Sequence, residues 1–357
     1  MRDYEVLHEF AKAAKDNLKR GTWDYLIGAA ETETTVKRNR HAIETYALRP
    51  RVLKDVSDVD PSVIFQGLNL RIPVILAPIG SLQDFEPGGG ATAARGATDF
   101  GVVSMLSSAC EPGLEAVAEA VGDKQKTFQL YVRGDANYVD DMIQRAVDAG
   151  YDALAITVDL AHYSRRERDL SKRFITTARS RHQGIHYQSF FSWDDIKRIR
   201  DKFDIPLMLK GIATAEDAVL ACDHGVEVVY VSNHGGRQLD HGRGSLDVLP
   251  EVVAAVDGRA DVMIDGGFLR GTDVVKAMAL GAKAVGIGRL SGFAIAADGV
   301  PGVVRMLEIL EHEIIIALGL LGVRSFAELN ASYVYKEASA VNLPHVMSGF
   351  PLLDEDY

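Results

Sequence analysis

This chain of 357 residues holds only two cysteines, Cys110 and Cys222, far apart and without metal-ligand spacing. That argues against a disulfide scaffold or a zinc site. The histidines and carboxylates show no ligand spacing either, so no metal is expected. Long apolar runs are also missing. The longest greasy stretch, Ile314 to Val323, is too short to span a bilayer. The first twenty residues are charged and lack the apolar core of a signal segment. Positive charge is in deficit, with a formal net charge of −11. This argues against nucleic acid or an anionic membrane as partner, while leaving room for a local basic pocket that takes a small anion. A cytoplasmic location is the expectation. No G-x-G-x-x-G turn follows the first apolar run. Pro87-Gly88-Gly89-Gly90 has the wrong spacing and reads as a flexible turn before a helix.

What is present is an alternation. The hydrophobic content of 47% and the length suit a large core. After Pro73, eight short apolar runs alternate with amphipathic, alanine-rich segments. The runs are Val74 to Ala77, Val102 to Leu106, Phe128 to Val132, Ala153 to Val158, Pro206 to Lys210, Val228 to Ser232, Val262 to Asp265 and Ala284 to Gly288. Strand followed by helix implies a parallel sheet with helical crossovers. Eight strands point to an α/β fold of the (β/α)8 TIM-barrel type, with an open doubly wound sheet as the rival. The chain reads as one domain over residues 1–357. A helical extension covers 1–71, and a C-terminal tail without periodicity, 334–357, wraps the domain or contacts a partner. Arg165 to Asp195 is the least regular internal segment and reads as a functional loop or mobile lid.

The most informative stretch is Ser232-Asn233-His234-Gly235-Gly236-Arg237-Gln238, directly after Val228-Val229-Tyr230-Val231. A buried strand thus ends in a glycine-containing loop that carries a histidine and an arginine. Histidine exchanges protons near neutral pH, whereas arginine keeps its charge and matches a carboxylate with its planar fork. The bland alternative is a basic surface turn. In a barrel of this kind, functional groups gather where the strands end. The other runs end in Ala77-Pro78-Ile79-Gly80, Ser107-Ser108, Gln129-Leu130-Tyr131, Thr157-Val158-Asp159, Lys210, Asp265-Gly266-Gly267 and Gly288-Arg289. Each alone could be a satisfied core polar group or a solvated charge. Together they assemble acid–base, carboxylate-binding and phosphate-binding chemistry.

At this point the chain resembles the FMN-dependent 2-hydroxy-acid oxidase and dehydrogenase family, from about Tyr4 to Leu329. The motif Ser232–Gln238 carries the likeness. Asp24-Tyr25, Leu106-Ser107-Ser108, Phe128-Gln129-Leu130-Tyr131, Arg165-Arg166-Glu167, Lys210-Gly211 and Ile287-Gly288-Arg289 follow in the family's order. The resemblance implies FMN as cofactor and a small 2-hydroxy acid as substrate. Oxygen, a quinone or another protein would be the electron acceptor, and the assembly a homotetramer. It implies His234 as base with Asp159 stabilising its protonated form, and Arg166, Arg237 and Tyr25 on the substrate carboxylate. Tyr131 would hold the substrate hydroxyl, and Lys210 would lie near flavin N1 and O2. It implies Ala77, Pro78, Ile79, Gly80, Ser107, Gln129 and Thr157 around the flavin ring. Ser232, Asp265, Gly266, Gly267, Gly288 and Arg289 would hold the ribityl phosphate.

Departures narrow the expectation. Leu269 stands where many members have an arginine, and Ala109 where glycolate oxidases carry a large aromatic. The usual His-Pro-Glu-Gly-Glu is Glu86-Pro87-Gly88-Gly89-Gly90, and Leu290 replaces a proline. Leu160 to Ser164, with His162 and Tyr163, is unusual for the substrate-side loop. A substrate bulkier than glycolate, aryl or branched, is expected. The competing readings are a different FMN-barrel chemistry of the isomerase type and a non-enzymatic FMN-binding scaffold.

Overall fold

A computed structural model describes residues 3–180, 186–336, 347 and 349–350. Eight parallel strands close into a barrel: Val74–Leu76, Val103–Ser107, Thr127–Leu130, Ala153–Thr157, Leu207–Ile212, Val228–Val231, Asp261–Ile264 and Ala284–Ile287. Each corresponds to one apolar run of the sequence, shifted by no more than a few residues. Successive strands neighbour one another, and the eighth closes on the first through Gly286↔Ile75. The runs are apolar throughout because both faces are covered, by barrel interior on one side and helices on the other. The α/β barrel is therefore the fold, and the open sheet is excluded.

The crossover helices begin where the sequence can cap them. Asp135 accepts the backbone N–H of Tyr138 at 3.0 Å, and Thr214 accepts that of Asp217 at 3.2 Å. Such caps satisfy amides that the helix itself leaves unpaired. Helix Gly89–Phe100 starts inside the Pro87–Gly90 run. The last helix, Arg289–Leu321, breaks its helical backbone at Asp298-Gly299. Its greasy C-terminal half supplies core residues, including Ile314, Leu318 and Leu321. No helix among the described residues is long and apolar enough to cross a membrane.

The N-terminal extension departs from the all-helical expectation. Helices Leu7–Asn17, Arg20–Ile27 and Thr34–Glu44 are followed by a short strand, Tyr46–Leu48, and a hairpin, Val63–Phe65 with Leu68–Leu70. The hairpin turns at Gln66-Gly67, both at positive φ (49° and 74°), as a type I′ turn requires. Phe65, Leu68 and Leu70 are buried. Gln66 Nε2 donates to Asp261 at 2.7 Å, and the Gln125 side chain donates to Gly67 O at 3.0 Å. Asp261 opens the seventh strand and Gln125 precedes the third. The hairpin therefore covers the barrel's N-terminal end and leaves the opposite end for a site.

Two further segments carry regular structure that their irregular sequence does not announce. The tail begins as a strand, Val334–Lys336, antiparallel to Tyr46–Leu48. Phe350 is buried 5.4 Å from the His8 ring, and the rest of 337–357 apart from Met347 and Gly349 lies outside the described residues. The Arg165–Asp195 segment is not structureless. It contains short helices Glu167–Ser171 and Thr177–Ser180 and a 3-10 turn at Tyr187–Ser189, with 181–185 outside the described residues.

Candidate active site

A cavity of about 460 Å³ opens at the C-terminal ends of the strands. The first strand ends in Ala77, Pro78, Ile79 and Gly80, all on its wall. From other elements come Tyr25, Tyr131, Arg166, Lys210, His234, Arg237, Asp265, Gly266, Gly267, Gly288 and Arg289. Five expected residues are not on the wall. Ser107, Gln129, Thr157 and Ser232 are fully buried on or just after the second, third, fourth and sixth strands. Asp159 stands behind His234.

The sixth-strand loop is held from the N-terminal extension. Asn39 and Asn233 exchange side-chain hydrogen bonds at 2.6 and 2.9 Å, and Ala30 N–H donates to Gly236 O at 2.9 Å. His234 sits at φ 58°, a left-handed conformation that this scaffolding maintains. Its Nδ1 lies 2.9 Å from Asp159 Oδ1, and its Nε2 lies 3.2 Å from the Tyr131 hydroxyl. Burial lowers the His234 pKa below its ordinary value, and the opposing pull of Asp159 does not overcome it. The Asp159 carboxyl is also held low: burial raises it, but His234 and Lys210 outweigh burial. With its pKa lowered, the His234 imidazole is neutral near pH 7, and its Nδ1–H then donates to the Asp159 carboxylate. Nε2 is then an acceptor facing the cavity. Burial raises the Tyr131 pKa, so its hydroxyl keeps its proton.

The arginines are supported unequally. Arg237 Nη1 donates to the carbonyls of Tyr25 and Gly28, both at 2.7 Å, and its guanidinium lies 4.6 Å from the Tyr25 ring centre. Arg166 is buried and packs 4.4 Å from the Tyr163 ring. Its Nε has no hydrogen-bond partner, and its one side-chain hydrogen bond among the described residues, to Gln238, is a long 3.5 Å. Arg289 donates to the carbonyls of Ile27, Gly28 and Gly235. Burial and the adjacent Arg237 push its pKa down to about 9. An anion is what such a cluster lacks.

The residues fit FMN on three observations. Both amide atoms of Gln129 and the hydroxyl of Thr157 are buried without any partner in the protein. Each such atom costs about 1–3 kcal/mol if nothing satisfies it, and the polar edge of a flavin ring would. Gly266 and Gly267 take φ of 109° and 89°, which opens their backbone at the seventh-strand end as a phosphate cradle requires. Lys210 supplies charge, paired with Asp265 at 2.9 Å and donating to Ser232 Oγ at 2.8 Å. Ser232 in turn donates to Asp265 at 2.6 Å. Leu269, in place of the family arginine, lines the cavity. Arg270 turns away to pair with Glu313 at 2.5 Å.

Several wall residues have no motif of their own in the sequence: Arg133, Arg179, His186 and Gln188. Gln188 accepts from Val132 N–H at 3.0 Å and donates to Thr157 O at 2.9 Å. It thus ties the ends of the third and fourth strands, which carry Tyr131 and Asp159. Only its place within the irregular Arg165–Asp195 segment hinted at it.

Known proteins are similar to this chain in sequence and in fold. The profile of the FMN-dependent dehydrogenases matches residues 14–336. Glycolate oxidase 3 of Arabidopsis thaliana is 37% identical, over 95% of this chain and 97% of its own length. An L-lactate oxidase of Nostoc sp. is 35% identical over 92% and 97%. A crystal structure of a mandelate oxidase superposes with a TM-score of 0.88 at 36% identity, covering 95% of this chain and all of that one. The chain belongs to the FMN-dependent dehydrogenase family. Within it, this protein is an FMN-dependent oxidase or dehydrogenase of the 2-hydroxy-acid kind.

Proposed function

We propose that the protein oxidises an (S)-2-hydroxy acid bulkier than glycolate to the 2-oxo acid, with oxygen as acceptor. One observation carries the reading: an imidazole held at Nδ1 by Asp159 faces the same cavity as two guanidiniums that have no carboxylate within 4 Å among the described residues. Arg166 and Arg237 bind the substrate carboxylate, and the Tyr25 ring under Arg237 fixes the angle of that fork. Tyr131 orients the substrate hydroxyl toward His234. His234 Nε2 accepts a substrate proton, and Asp159 stabilises the imidazolium that results. Bound FMN supplies an acceptor for the electron pair. Gln129, Thr157 and Ser107 would hold its ring edge. Lys210 would place a positive charge beside the ring, and Gly266, Gly267, Gly288 and Arg289 would hold the phosphate end.

Two facts support the substrate and acceptor. Ala109, small and on the cavity wall, leaves space that a large aromatic would fill. The relatives named above are oxidases of glycolate, lactate and mandelate. The test is anaerobic mixing of the yellow protein with a panel of 2-hydroxy acids. The visible flavin band is expected to bleach with mandelate-like acids in preference to glycolate. Admitting air then restores it within the turnover time. Bleaching that air does not reverse would make the protein a dehydrogenase with another acceptor. His234→Ala is expected to bind FMN yet reduce it about 10²–10⁴-fold more slowly. Wild-type bleaching in that variant would remove the histidine from the chemistry.

A further inference from the structure

We propose that Arg179 and Arg133 form a second anion subsite in the same cavity, so that the substrate is a 2-hydroxy acid bearing a second anionic group at its far end. The inference rests on the proposed function and names its substrate class. Five arginines and Lys210 line the cavity, against one lining carboxylate, Asp265, which Lys210 neutralises. Arg166 and Arg237 answer the first carboxylate, and Arg289 is engaged with three backbone carbonyls. Arg133 and Arg179 remain. Both are half-buried, and neither guanidinium has a hydrogen bond or ion pair among the described residues. Each rests only on an aromatic ring: Arg133 5.6 Å from the Tyr131 centre, Arg179 4.1 Å from that of Tyr163. A guanidinium offers five donors, and stacking uses none of them.

The second site is built rather than loose. Thr177, two residues before Arg179, donates its backbone N–H to Asp84 at 3.0 Å and its hydroxyl to the same carboxylate. Ala178 N–H donates to Ser81 Oγ at 3.2 Å. The backbone before Arg133 is held by the Gln188 contact to Val132. Arg166, of the first clamp, packs 4.4 Å from the ring that Arg179 also touches. The two guanidinium carbons are therefore at most about 8.5 Å apart, the sum of those two distances. A span within that limit suits one small diacid held at each end by charge-assisted hydrogen bonds. Asp169, buried near Arg166, Arg179 and Arg237, is within 4 Å of none of them. Burial raises its pKa from the ordinary carboxylate value.

The test compares matched pairs on the FMN-loaded enzyme under anaerobic conditions: (S)-2-hydroxyglutarate with (S)-2-hydroxyvalerate, and 4-carboxymandelate with mandelate. In at least one pair the diacid is expected to exceed its uncharged partner by about tenfold or more in kcat/KM for flavin reduction. Arg179→Gln and Arg133→Gln are each expected to shrink that ratio. Glutarate is expected to inhibit wild type competitively, and more weakly in Arg179→Gln. Equal rates within both pairs would overturn the subsite while leaving the proposed function standing. So would variants that slow monoacid and diacid alike, which would mark general electrostatic steering. If no 2-hydroxy acid bleached the flavin, the proposed function itself would fall, and the subsite with it.

Discussion

Arg40 and Arg166 are both buried guanidiniums, 3% and 6% exposed, yet their surroundings are opposite. Arg40 lies in the seam between helix Thr34–Glu44 and the loop after the seventh strand. It donates to Asp273 at 2.7 Å and to Gly267 O at 2.6 Å, with Glu44 at 3.4 Å. Burial opposes its charge, but Asp273 and Glu44 outweigh burial and raise its pKa. Asp273 also accepts the N–H groups of Leu269 and Arg270, at 2.9 and 3.1 Å, at the start of helix Gly271–Ala279. Arg166 has none of this: no carboxylate within reach, an unpartnered Nε and one long hydrogen bond. A buried charge whose partners are all protein atoms holds the fold together. A buried charge left without an anion marks where a ligand belongs.

Substitution should separate the two cases. Asp273→Ala strips Arg40 of its main partner and leaves a buried charge answered more weakly, by Glu44 at 3.4 Å and the Gly267 carbonyl. The expected loss is about 3–5 kcal/mol of folding stability, read from the midpoint of denaturant unfolding. A loss below about 1 kcal/mol would mean that Glu44 and the Gly267 carbonyl suffice for Arg40. The seam would then no longer contrast with the cavity.

The mirror experiment is Arg166→Met, which removes a charge that no protein group answers. Stability should hold or rise, because the desolvation cost disappears. The kcat/KM for any 2-hydroxy acid should fall by about 1.5–3 kcal/mol, or roughly 10- to 150-fold, the worth of a charged hydrogen-bonded contact. A variant that unfolds more readily but turns over normally would place Arg166 with Arg40, as a structural group.

The same contrast explains what the sequence discloses. The eight barrel strands are legible because burial on both faces makes each an uninterrupted apolar run, such as Val228-Val229-Tyr230-Val231. Residues at strand ends, His234, Lys210, Asp265 and Tyr131, are legible because the fold's geometry sends those positions into one cavity. The hairpin at Val63–Leu70 is hidden because its turn is Gln66-Gly67, a weaker signal than Asn-Gly, and its strands have three residues each. The role of Asn39 is hidden for another reason. It reaches Asn233 across 194 positions of chain, and no local pattern encodes that contact. Arg40 and Arg166 look alike in sequence, since what distinguishes them is the presence or absence of distant partners. Nothing local marks Arg133 or Arg179 either, for the same reason.

The smallest effect concerns the other buried pair, His234 with Asp159. Lys210 and Asp265 form a saturated pair, bridged by Ser232, whereas Asp159 keeps one oxygen unpartnered and His234 turns its second nitrogen to the cavity. A base must be neutral to accept a proton, so activity is lost as His234 becomes protonated. Burial sets its pKa below the ordinary 6.5, so the midpoint of the acid limb of kcat/KM should lie below 6.5. The raised Tyr131 pKa keeps that hydroxyl protonated, so Tyr131 adds no alkaline limb below pH 10. Asp159→Asn removes the one neighbour that favours the imidazolium and should move the acid limb further down. A wild-type midpoint above 6.5 would instead mean that the carboxylate outweighs burial. His234 and Asp159 would then be a closed ion pair like Lys210 and Asp265, and an imidazole already carrying its proton has no place for another.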